Sequence, residues 1–402
     1  MKKTLFIFGP YDEFTMFIKF NSFIRREKQK KEYNEIIAIV PYRAAGVISE
    51  ADKILTVSHQ FHVKTNTHYP GILDPHPWLP NPHAYAAESI RPLTHRATGQ
   101  FAGLSTDPRW RTHLGYMHSG FMERALQYIK QNFNNYDIAI YAEGFLADPL
   151  LKKPLEFCGN PSVMSLLLDN NVKIINVLET RDPASGLFVD TNPHDQFVAV
   201  GKSLREGMKI LPFKEDYDAI KEKFGQSIDA KTYVIHSRGF KNKQPHVYNA
   251  EMGIKATDFH PIIEKLMNEG YRFINIGFPP APSNFHHDNY VEWNADLSYS
   301  EYLAFCRLAA GWIMFSDAGG WLIHICSDLD IFSIGWEWSH FGTGEHGYRP
   351  ILDNRLLRKD VYTADFRNGG PKEFYECLIN HKPTVYSEEL PSLKQRVIII
   401  DE

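Results

Sequence analysis

A histidine and an arginine stand on alternate positions at the end of an apolar run, in the stretch YVIHSRGFK of residues 233–241. Side chains alternate along a strand, so His236 and Arg238 share one face while Ser237 takes the other. A planar guanidinium suits a phosphate group, because it offers two parallel donors and keeps its charge. The stretch therefore indicates either an anion-binding strand end or a structural ion pair between Arg238 and a nearby carboxylate.

A glycine turn follows a later candidate strand of this half of the chain, Trp312 to Phe315, in the stretch FSDAGGWLIHIC. The first amides of a helix lack partners within it, and its dipole favours anions at that end. The glycines also let a diphosphate approach the backbone closely. In this turn Asp317 is ambiguous, because Asp commonly serves there as the helix N-cap. The turn predicts an anion site formed by Ser316, Asp317, Ala318, Gly319 and Gly320.

Three carboxylates follow apolar runs in the first half, in the stretches FGPYDEF and YAEGF. Asp12 and Glu13 come after the first predicted strand, and Glu143 comes after a later one. A carboxylate at a strand end can act as a general base. Asp12 and Glu13 can equally be first-turn residues favoured by a helix dipole, and Glu143 is the reserve candidate.

The stretch GWEWSHFGTGEHGY follows the last predicted strand of the second half. Glu337 or Glu345 can hydrogen-bond a ribose diol there, and His340 or His346 can meet a phosphate. A polar loop without a ligand is the alternative interpretation.

Continuous apolar runs must position these residues. Runs such as Leu5 to Phe8 and Ile36 to Val40 are apolar throughout, which is typical of strands covered on both faces of a parallel sheet. Helical patterns separate the runs, as in TDFHPIIEKLMNEG, which stops at Gly270, and SYSEYLAFCRLAAG, where Ser298 and Glu301 have capping-box spacing. The order predicts an α/β protein with two facing, Rossmann-like, doubly wound domains.

The predicted domains are residues 1–210 and 231–402, joined by the charged stretch 211–230. Residues 60–120 interrupt the first domain and are rich in proline, histidine and aromatic side chains. We expect a folded insertion beside the active-site cleft, because long irregular segments in compact domains are usually functional or disordered. Its histidines lack the spacing of a zinc site, so no metal is expected there.

Composition excludes several classes of function. The 402 residues carry 44 Lys and Arg against 48 Asp and Glu, and a net charge of -4 gives no basic field for nucleic acid. Apolar runs stay well short of the roughly 18 residues that span a membrane. The 4 scattered cysteines lack Cys-x-x-Cys spacing and predict buried thiols of a reducing compartment. We therefore expect a cytoplasmic protein that holds a phosphate-bearing ligand in a local site.

These features together resemble the GT-B glycosyltransferases. The strand-end HSR and the turn SDAGGWLIHIC are most similar to bacterial enzymes for surface polysaccharides, including heptosyltransferases, and the HxR pattern echoes inverting fucosyltransferases. In one group of bacterial glycosyltransferases the HxR strand precedes an Asn-containing loop, which is represented here by Asn249. The likeness covers residues 231–340, and for the first domain it is architectural only.

The resemblance implies roles for the candidate residues. Arg238, with His236 beside it, would bind the diphosphate of a nucleotide sugar together with the amides of the glycine turn. Asp12 falls where heptosyltransferases carry their base, but this chain has GPYDE there and Asp12 against Glu13 stays open. The implied reaction is an inverting, metal-independent transfer to a glycan or lipid-linked glycan. A GT-B-like nucleotide-sugar 2-epimerase and a non-catalytic binding protein are the alternatives.

Overall fold

The structure is a computed structural model. It covers residues 3–9, 14–57, 119–142, 166, 169–176, 202–203, 206–224, 228–236, 260–275, 286–292, 298–315, 327, 329–334 and 366–400. The chain divides into two compact units, one formed by Met1–Ser203 with Lys394–Glu402 and the other by Leu204–Leu393. The Asn249 loop and the proline-rich stretch 60–118 lie outside the described residues.

The first unit begins with strands and helices in alternation. Phe6, Ile7 and Phe8 are fully buried, as the continuous apolar run predicts. Residues 17 to 24 of helix α1 are buried apart from the partly exposed Lys19, and the helix carries basic residues in its last turn, where the helix dipole favours them. The elements are β1 (Lys3–Phe8), α1 (Phe14–Lys30), β2 (Tyr33–Ile39), a 3-10 helix (Tyr42–Val47), β3 (Lys53–Thr56), α2 (Ser119–Asn132), β4 (Tyr136–Ala142) and β5 (Lys173–Asn176).

The second unit repeats this alternation. Its central strand, β6 (Thr232–His236), has an apolar middle, where Tyr233, Val234 and Ile235 are buried. Its elements are α3 (Lys214–Phe224), β6 (Thr232–His236), α4 (His260–Asn268), β7 (Arg272–Asn275), β8 (Tyr290–Glu292), α5 (Tyr299–Leu308), β9 (Gly311–Phe315), β10 (Ile331–Ile334) and α6 (Phe366–Asn380).

Local signals begin and end two of these helices. The Ser298 hydroxyl accepts the Glu301 amide at 3.1 Å, and the Glu301 carboxylate accepts the Ser298 amide at 2.7 Å. This is the capping box that the spacing predicts for α5. Gly270 follows α4 with a φ of 87°, a left-handed conformation that glycine adopts without steric cost.

The end of the chain returns to the first unit. Helix α7 (Leu393–Arg396) leads directly into β11 (Val397–Ile399), which pairs in parallel with β3. Ile398 and Ile400 pack against the core of the first sheet. The sequence-based division assigned all of 231–402 to the second domain. The structure differs because the apolar run RVIII supplies an additional strand to the first sheet.

The stretch 211–230 also differs from its interpretation as a connection. Residues 214–224 form α3, whose Ile220 is buried, and this helix belongs to the second unit. The Ser300 hydroxyl of α5 accepts the amide of Phe213 at 2.8 Å, at the start of α3. Because α3 has many charged residues and few apolar ones, its helical pattern is weak in the sequence.

The two sheets share one strand order within the described residues. The first sheet runs β11-β3-β2-β1-β4-β5 and the second runs β10-β9-β6-β7-β8, with every pair parallel. Apart from β11, each unit places its first strand at the centre, its second and third strands on one side, and its fourth and fifth on the other. This is the doubly wound α/β order, and the predicted Rossmann-like fold class is confirmed for both units.

Candidate functional site

The carboxyl ends of β6 and β9 lie side by side in the second sheet. The two strands are parallel neighbours, with Ile235 opposite Ile313 and His236 opposite Met314. The strand that follows β6 in sequence, β7, lies on one side of β6, and the strand that follows β9, β10, lies on the opposite side of β9. The ends of β6 and β9 are therefore the point where the strand order reverses. Ligands of open α/β sheets bind in the crevice at such a point.

The predicted anion ligands Arg238 and Ser316 follow these two strand ends closely in the sequence. Arg238 comes two residues after the end of β6, and Ser316 comes directly after the end of β9. The strand β10 beside β9 is followed by Glu337. The structure describes the backbone of His236 as the last residue of β6. Its side chain and the residues Arg238, Asn249, Ser316, Asp317, Ala318, Gly319, Gly320 and Glu337 lie outside the described residues.

The residues of β6 and β9 that precede these ends belong to the buried apolar core. Tyr233 and Trp312 are 1% exposed, and Val234, Ile235 and Ile313 are fully buried. Such tightly packed strands hold their ends in place, because a close-packed core leaves few alternative arrangements.

A glycine allows this close packing. A Cβ on Gly311 would lie 2.8 Å from the Phe332 ring and 3.2 Å from the Tyr233 ring, so only glycine fits between β6 and β10 at that point. Gly311 stands at the amino end of β9, on the edge opposite the candidate site.

The first sheet has an equivalent reversal point between β1 and β4. These strands are parallel neighbours, with Phe8 opposite Ile140. Asp12 and Glu13 follow β1 after four and five residues, and Glu143 directly follows β4. All three carboxylates lie outside the described residues. In the sequence they follow β1 and β4, and these two strands are neighbours at one reversal point of the sheet. The sequence pattern could place each after a strand, but it gave no sign that the two strands are neighbours.

An aromatic cluster lies beneath this second reversal point. The ring of Tyr141, the penultimate residue of β4, stands 5.1 Å from that of Phe20 and 5.4 Å from that of Phe23, both on α1. Phe20 is fully buried, and Tyr141 is 3% exposed. Helix α1 therefore packs tightly under the end of β4.

A buried polar network occupies the opposite, amino-terminal edge of the second sheet. The Asp330 carboxylate, just before β10, accepts the Thr384 amide and the Thr384 hydroxyl, each at 2.8 Å. His381 Nε2 lies 3.3 Å from the same carboxylate and 2.8 Å from the carbonyl oxygen of Ala310. Since a carbonyl only accepts, Nε2 must carry a hydrogen. The network ties residues 381–384 to the sheet and is remote in the fold from the strand ends above.

Two Asp-x-Asp triplets occur in the sequence, at 216–218 and 328–330. Carboxylates so spaced can hold a divalent cation. The described members have other partners: Asp330 accepts from Thr384, Asp216 accepts from the Ser300 hydroxyl, and Asp218 pairs with Lys214. Among the described residues no group of three or more His, Cys, Asp or Glu side chains is arranged to hold a metal ion.

The chain is similar to several solved structures at low sequence identity. It is 11% identical to ADP-heptose LPS heptosyltransferase II of E. coli, with a TM-score of 0.38, 83% of this chain covered and 84% of that chain. It is 10% identical to a family 9 glycosyl transferase of Veillonella parvula, with a TM-score of 0.41 and coverages of 83% and 81%.

A second kind of enzyme is also similar. The UDP-GlcNAc 2-epimerase of Neisseria meningitidis, solved with UDP-GlcNAc bound, is 12% identical, with a TM-score of 0.32 and coverages of 94% and 95%. No protein-family model matches the chain, and no curated protein does so by sequence. Within the described residues, no helix has both the length and the apolar character needed to cross a membrane.

Proposed function

We propose that the protein is a glycosyltransferase that moves a sugar from a nucleotide-diphosphate sugar to a hydroxyl group of a glycan or lipid-linked glycan. One observation carries the proposal. The strand order makes β6 and β9 neighbours at the reversal point of the second sheet, and the sequence continues from these strands into Arg238 and into the turn of residues 316–320. A guanidinium and a set of helix-start amides are the groups that suit a diphosphate.

The chemistry follows from the charge that develops on the leaving group. The departing nucleotide diphosphate gains negative charge as the glycosidic bond breaks, and preorganised donors aimed at it lower the barrier. Arg238 and the amides of Ala318, Gly319 and Gly320 are the proposed donors, with His236 and Asn249 beside them and Glu337 toward the ribose. These groups stabilise the leaving group without requiring a metal ion.

The proposed base comes from the first unit. A carboxylate among Asp12, Glu13 and Glu143 takes the proton of the acceptor hydroxyl, whose oxygen then attacks the anomeric carbon from the side opposite the leaving diphosphate. Attack from that side inverts the configuration. The strand order supports this step, because all three candidates follow the two strands that flank one reversal point.

Nucleotide binding is the first test. Thermal unfolding is measured with UDP, GDP, ADP, CDP and dTDP and with sugars linked to them. A ligand at a hundred times its dissociation constant stabilises the folded protein by about 2.7 kcal/mol. Arg238→Ala is expected to abolish the response, because removal of one preorganised donor costs on the order of 3 kcal/mol. No response of the wild type to any nucleotide would refute the proposal.

Turnover separates the enzyme from its alternatives. Release of the nucleoside diphosphate is measured with oligosaccharides from bacterial surface polysaccharides as acceptors. The variants Asp12→Asn, Glu13→Gln and Glu143→Gln should all keep the thermal response, and the one that replaces the base should lose turnover. Conversion of a nucleotide sugar without an acceptor would instead identify a 2-epimerase. Binding with no turnover of any kind would leave a non-catalytic nucleotide-sugar-binding protein.

A further inference from the structure

The amino ends of α3 and α5 meet at one buried hydroxyl group. The Ser300 side chain accepts the amide of Phe213 at 2.8 Å and also hydrogen-bonds the carboxyl group of Asp216. Phe213 comes directly before α3 and Asp216 lies in its first turn, so one side chain of α5 holds the start of α3 in two ways. Further along the pair, the rings of Phe224 and Phe305 pack 5.1 Å apart.

The same turn of α3 binds the chain where it leaves the second unit. The Glu215 carboxylate accepts the Ser392 hydroxyl at 2.7 Å and the Leu393 amide at 2.8 Å. The Lys214 amide donates to the carbonyl of Pro391 at 2.9 Å. Leu393 is the last residue of the second unit, and it begins α7, which leads into β11 of the first unit. This crossing segment is therefore bound to α3, which is bound in turn to α5.

The charged groups around Asp216 come from the two helices. Glu301 of α5 and Glu215 of α3 both place negative charge near it. The Lys214 ammonium is paired with another carboxylate on the exposed side of α3. The crossing segment, residues 391–393, contributes the neutral side chains of Pro, Ser and Leu. An ionised Asp216 therefore adds a third negative charge to this junction.

The Asp216 carboxyl group changes its charge under mild conditions. Burial raises its pKa to about 6, the two neighbouring glutamates add to this effect, and the hydrogen bond from Ser300 opposes it. A raised pKa means that docked α3 binds the proton more tightly than undocked α3. The docking energy gained from the proton is complete below the ordinary pKa of Asp and is lost as the pH rises through about 6.

We propose that α3 and residues 391–393 form a proton-operated latch, which holds the crossing segment on the second unit while Asp216 is protonated and loosens when Asp216 is ionised. The neutral acid is repelled by neither Glu301 nor Glu215. The anion is repelled by both, and it gains hydration when α3 moves away from α5. The crossing segment loosens in the same step, because its partners lie on α3. This device does not depend on the proposed reaction.

Hydrogen–deuterium exchange of the full chain at pH 5 and pH 7.5 tests the latch. Protection factors, which correct for the intrinsic exchange rate at each pH, are measured for peptides that cover α3 and the crossing segment. If undocking restores the ordinary pKa of Asp216, opening is about ten times more favourable at pH 7.5 than at pH 5. Protection of both regions should therefore fall about tenfold over this range, while that of residues 233–235 in β6 stays unchanged.

Two variants of α3 separate the latch from other effects of pH. Asp216→Asn keeps a side chain that can hydrogen-bond Ser300 but cannot ionise, so its protection factors should agree at the two pH values within a factor of about 2. Asp218→Asn is the matched control, because Asp218 is 53% exposed and pairs with Lys214. It should retain the tenfold fall of the wild type.

A third variant tests the neighbouring charge. Glu301→Gln removes one negative charge and keeps an acceptor for the Ser298 amide, since glutamine also serves in a capping box. The pKa of Asp216 should then move down toward its ordinary value. The pH at which protection of α3 begins to level off should fall accordingly, below that of the wild type.

The proposal can fail in three ways. Equal protection of α3 and the crossing segment at pH 5 and pH 7.5 in the wild type would overturn it. A tenfold fall that persists in Asp216→Asn would assign the effect to another group and overturn it as well. A parallel fall in β6 would show that the charge acts on unfolding of the whole unit, which would exclude a local latch.

Discussion

At the scale of single residues, Asp330 is a buried carboxylate with several polar partners. Its carboxylate is buried and accepts two hydrogen bonds from Thr384, and Nε2 of the buried His381 lies 3.3 Å from it. Because Thr384 is partly buried, removal of the acceptor leaves its amide and hydroxyl with little access to a replacement from solvent. The residue lies at the amino edge of the second sheet, so its role is to hold residues 381–384 in place.

We expect Asp330→Ala to lower the free energy of unfolding by about 3 kcal/mol, since the amide and the hydroxyl of Thr384 both lose their buried acceptor. Urea unfolding checks the loss. Asp218→Ala is the control, because Asp218 is 53% exposed and pairs only with its helix neighbour Lys214 among the contacts described. An exposed pair of this kind contributes about 0.5 kcal/mol. Equal losses in the two variants would contradict the structural role of Asp330, as would a loss of nucleotide binding in the folded Asp330 variant.

At the scale of elements, the contact of α3 with α5 contains the carboxyl group of Asp216, whose ionised form is disfavoured by burial. Burial raises the pKa of Asp216 to about 6, the negative charges of Glu301 and Glu215 add to this effect, and the hydrogen bond from Ser300 opposes it. A folded-state pKa above the unfolded value means that the folded protein prefers the protonated acid. The resulting stabilisation is complete below the unfolded pKa and is lost as the pH rises through about 6.

Asp216→Asn should therefore stabilise the protein at pH 7.5, by on the order of 2 kcal/mol, and the gain should disappear near pH 4. The asparagine keeps a hydrogen-bonding side chain for Ser300 but carries no charge. Thermal unfolding midpoints between pH 4 and pH 8 measure the difference from the wild type. Asp218→Asn, on the exposed side of the same helix, controls for the substitution. A gain for Asp216→Asn that stays constant across this range would exclude titration of the carboxyl group as the cause.

The elements that the sequence predicts well are those with local signals. The capping box of α5 depends on Ser298 and Glu301 alone, and the end of α4 depends on the conformation of Gly270. The short strands β8 and β11 escaped prediction, because three residues become a strand only through their partners. Helix α3 was mistaken for a connection, since it has few apolar positions and Ile220 is its one buried residue within the described range.

The candidate site was predictable in part for the same reason. Residue types and strand ends indicate Arg238, the turn of 316–320 and the carboxylates as candidates, because each signal lies within a few residues of sequence. Which strands are neighbours depends on where each crossover places the next strand. That choice involves the packing of whole helices, so only the structure shows β6 beside β9 and β1 beside β4.

For the chain as a whole, the first unit is discontinuous in sequence. Its sheet is completed by β11, and residues 381–393 reach it along the second unit. Burial would raise the pKa of Glu388 in this stretch, but hydrogen bonds from Lys209 and Arg307 outweigh the effect and lower the pKa to about 2. At neutral pH the ionised Glu388 therefore holds the returning segment to the second unit.

Arg396 fixes the returning strand to the first sheet. Its Nη2 donates to the carbonyl oxygens of Ile48, Ser49 and Ala51 at 3.0, 3.1 and 2.7 Å. Asn21 of α1 holds the same loop, since its side chain donates to Val47 and accepts the amide of Ser49. Burial lowers the pKa of Arg396, while Glu50 and Asp52 favour its charged form. The loop before β3 thus depends on a residue 345 positions further along the sequence.

We expect Arg396→Gln to lower stability by about 2 kcal/mol, because three carbonyl groups lose a charged donor. The loss should be confined to the first unit, since the partners of Arg396 all lie there. Hydrogen–deuterium exchange should rise in residues 48–56 and 397–400, while the thermal response to nucleotides, which depends on the second unit, persists. Lys394→Gln, an exposed change on the same short helix, is the control. Faster exchange across both units in Arg396→Gln would show that the two units unfold together and would contradict a separate stability of the first.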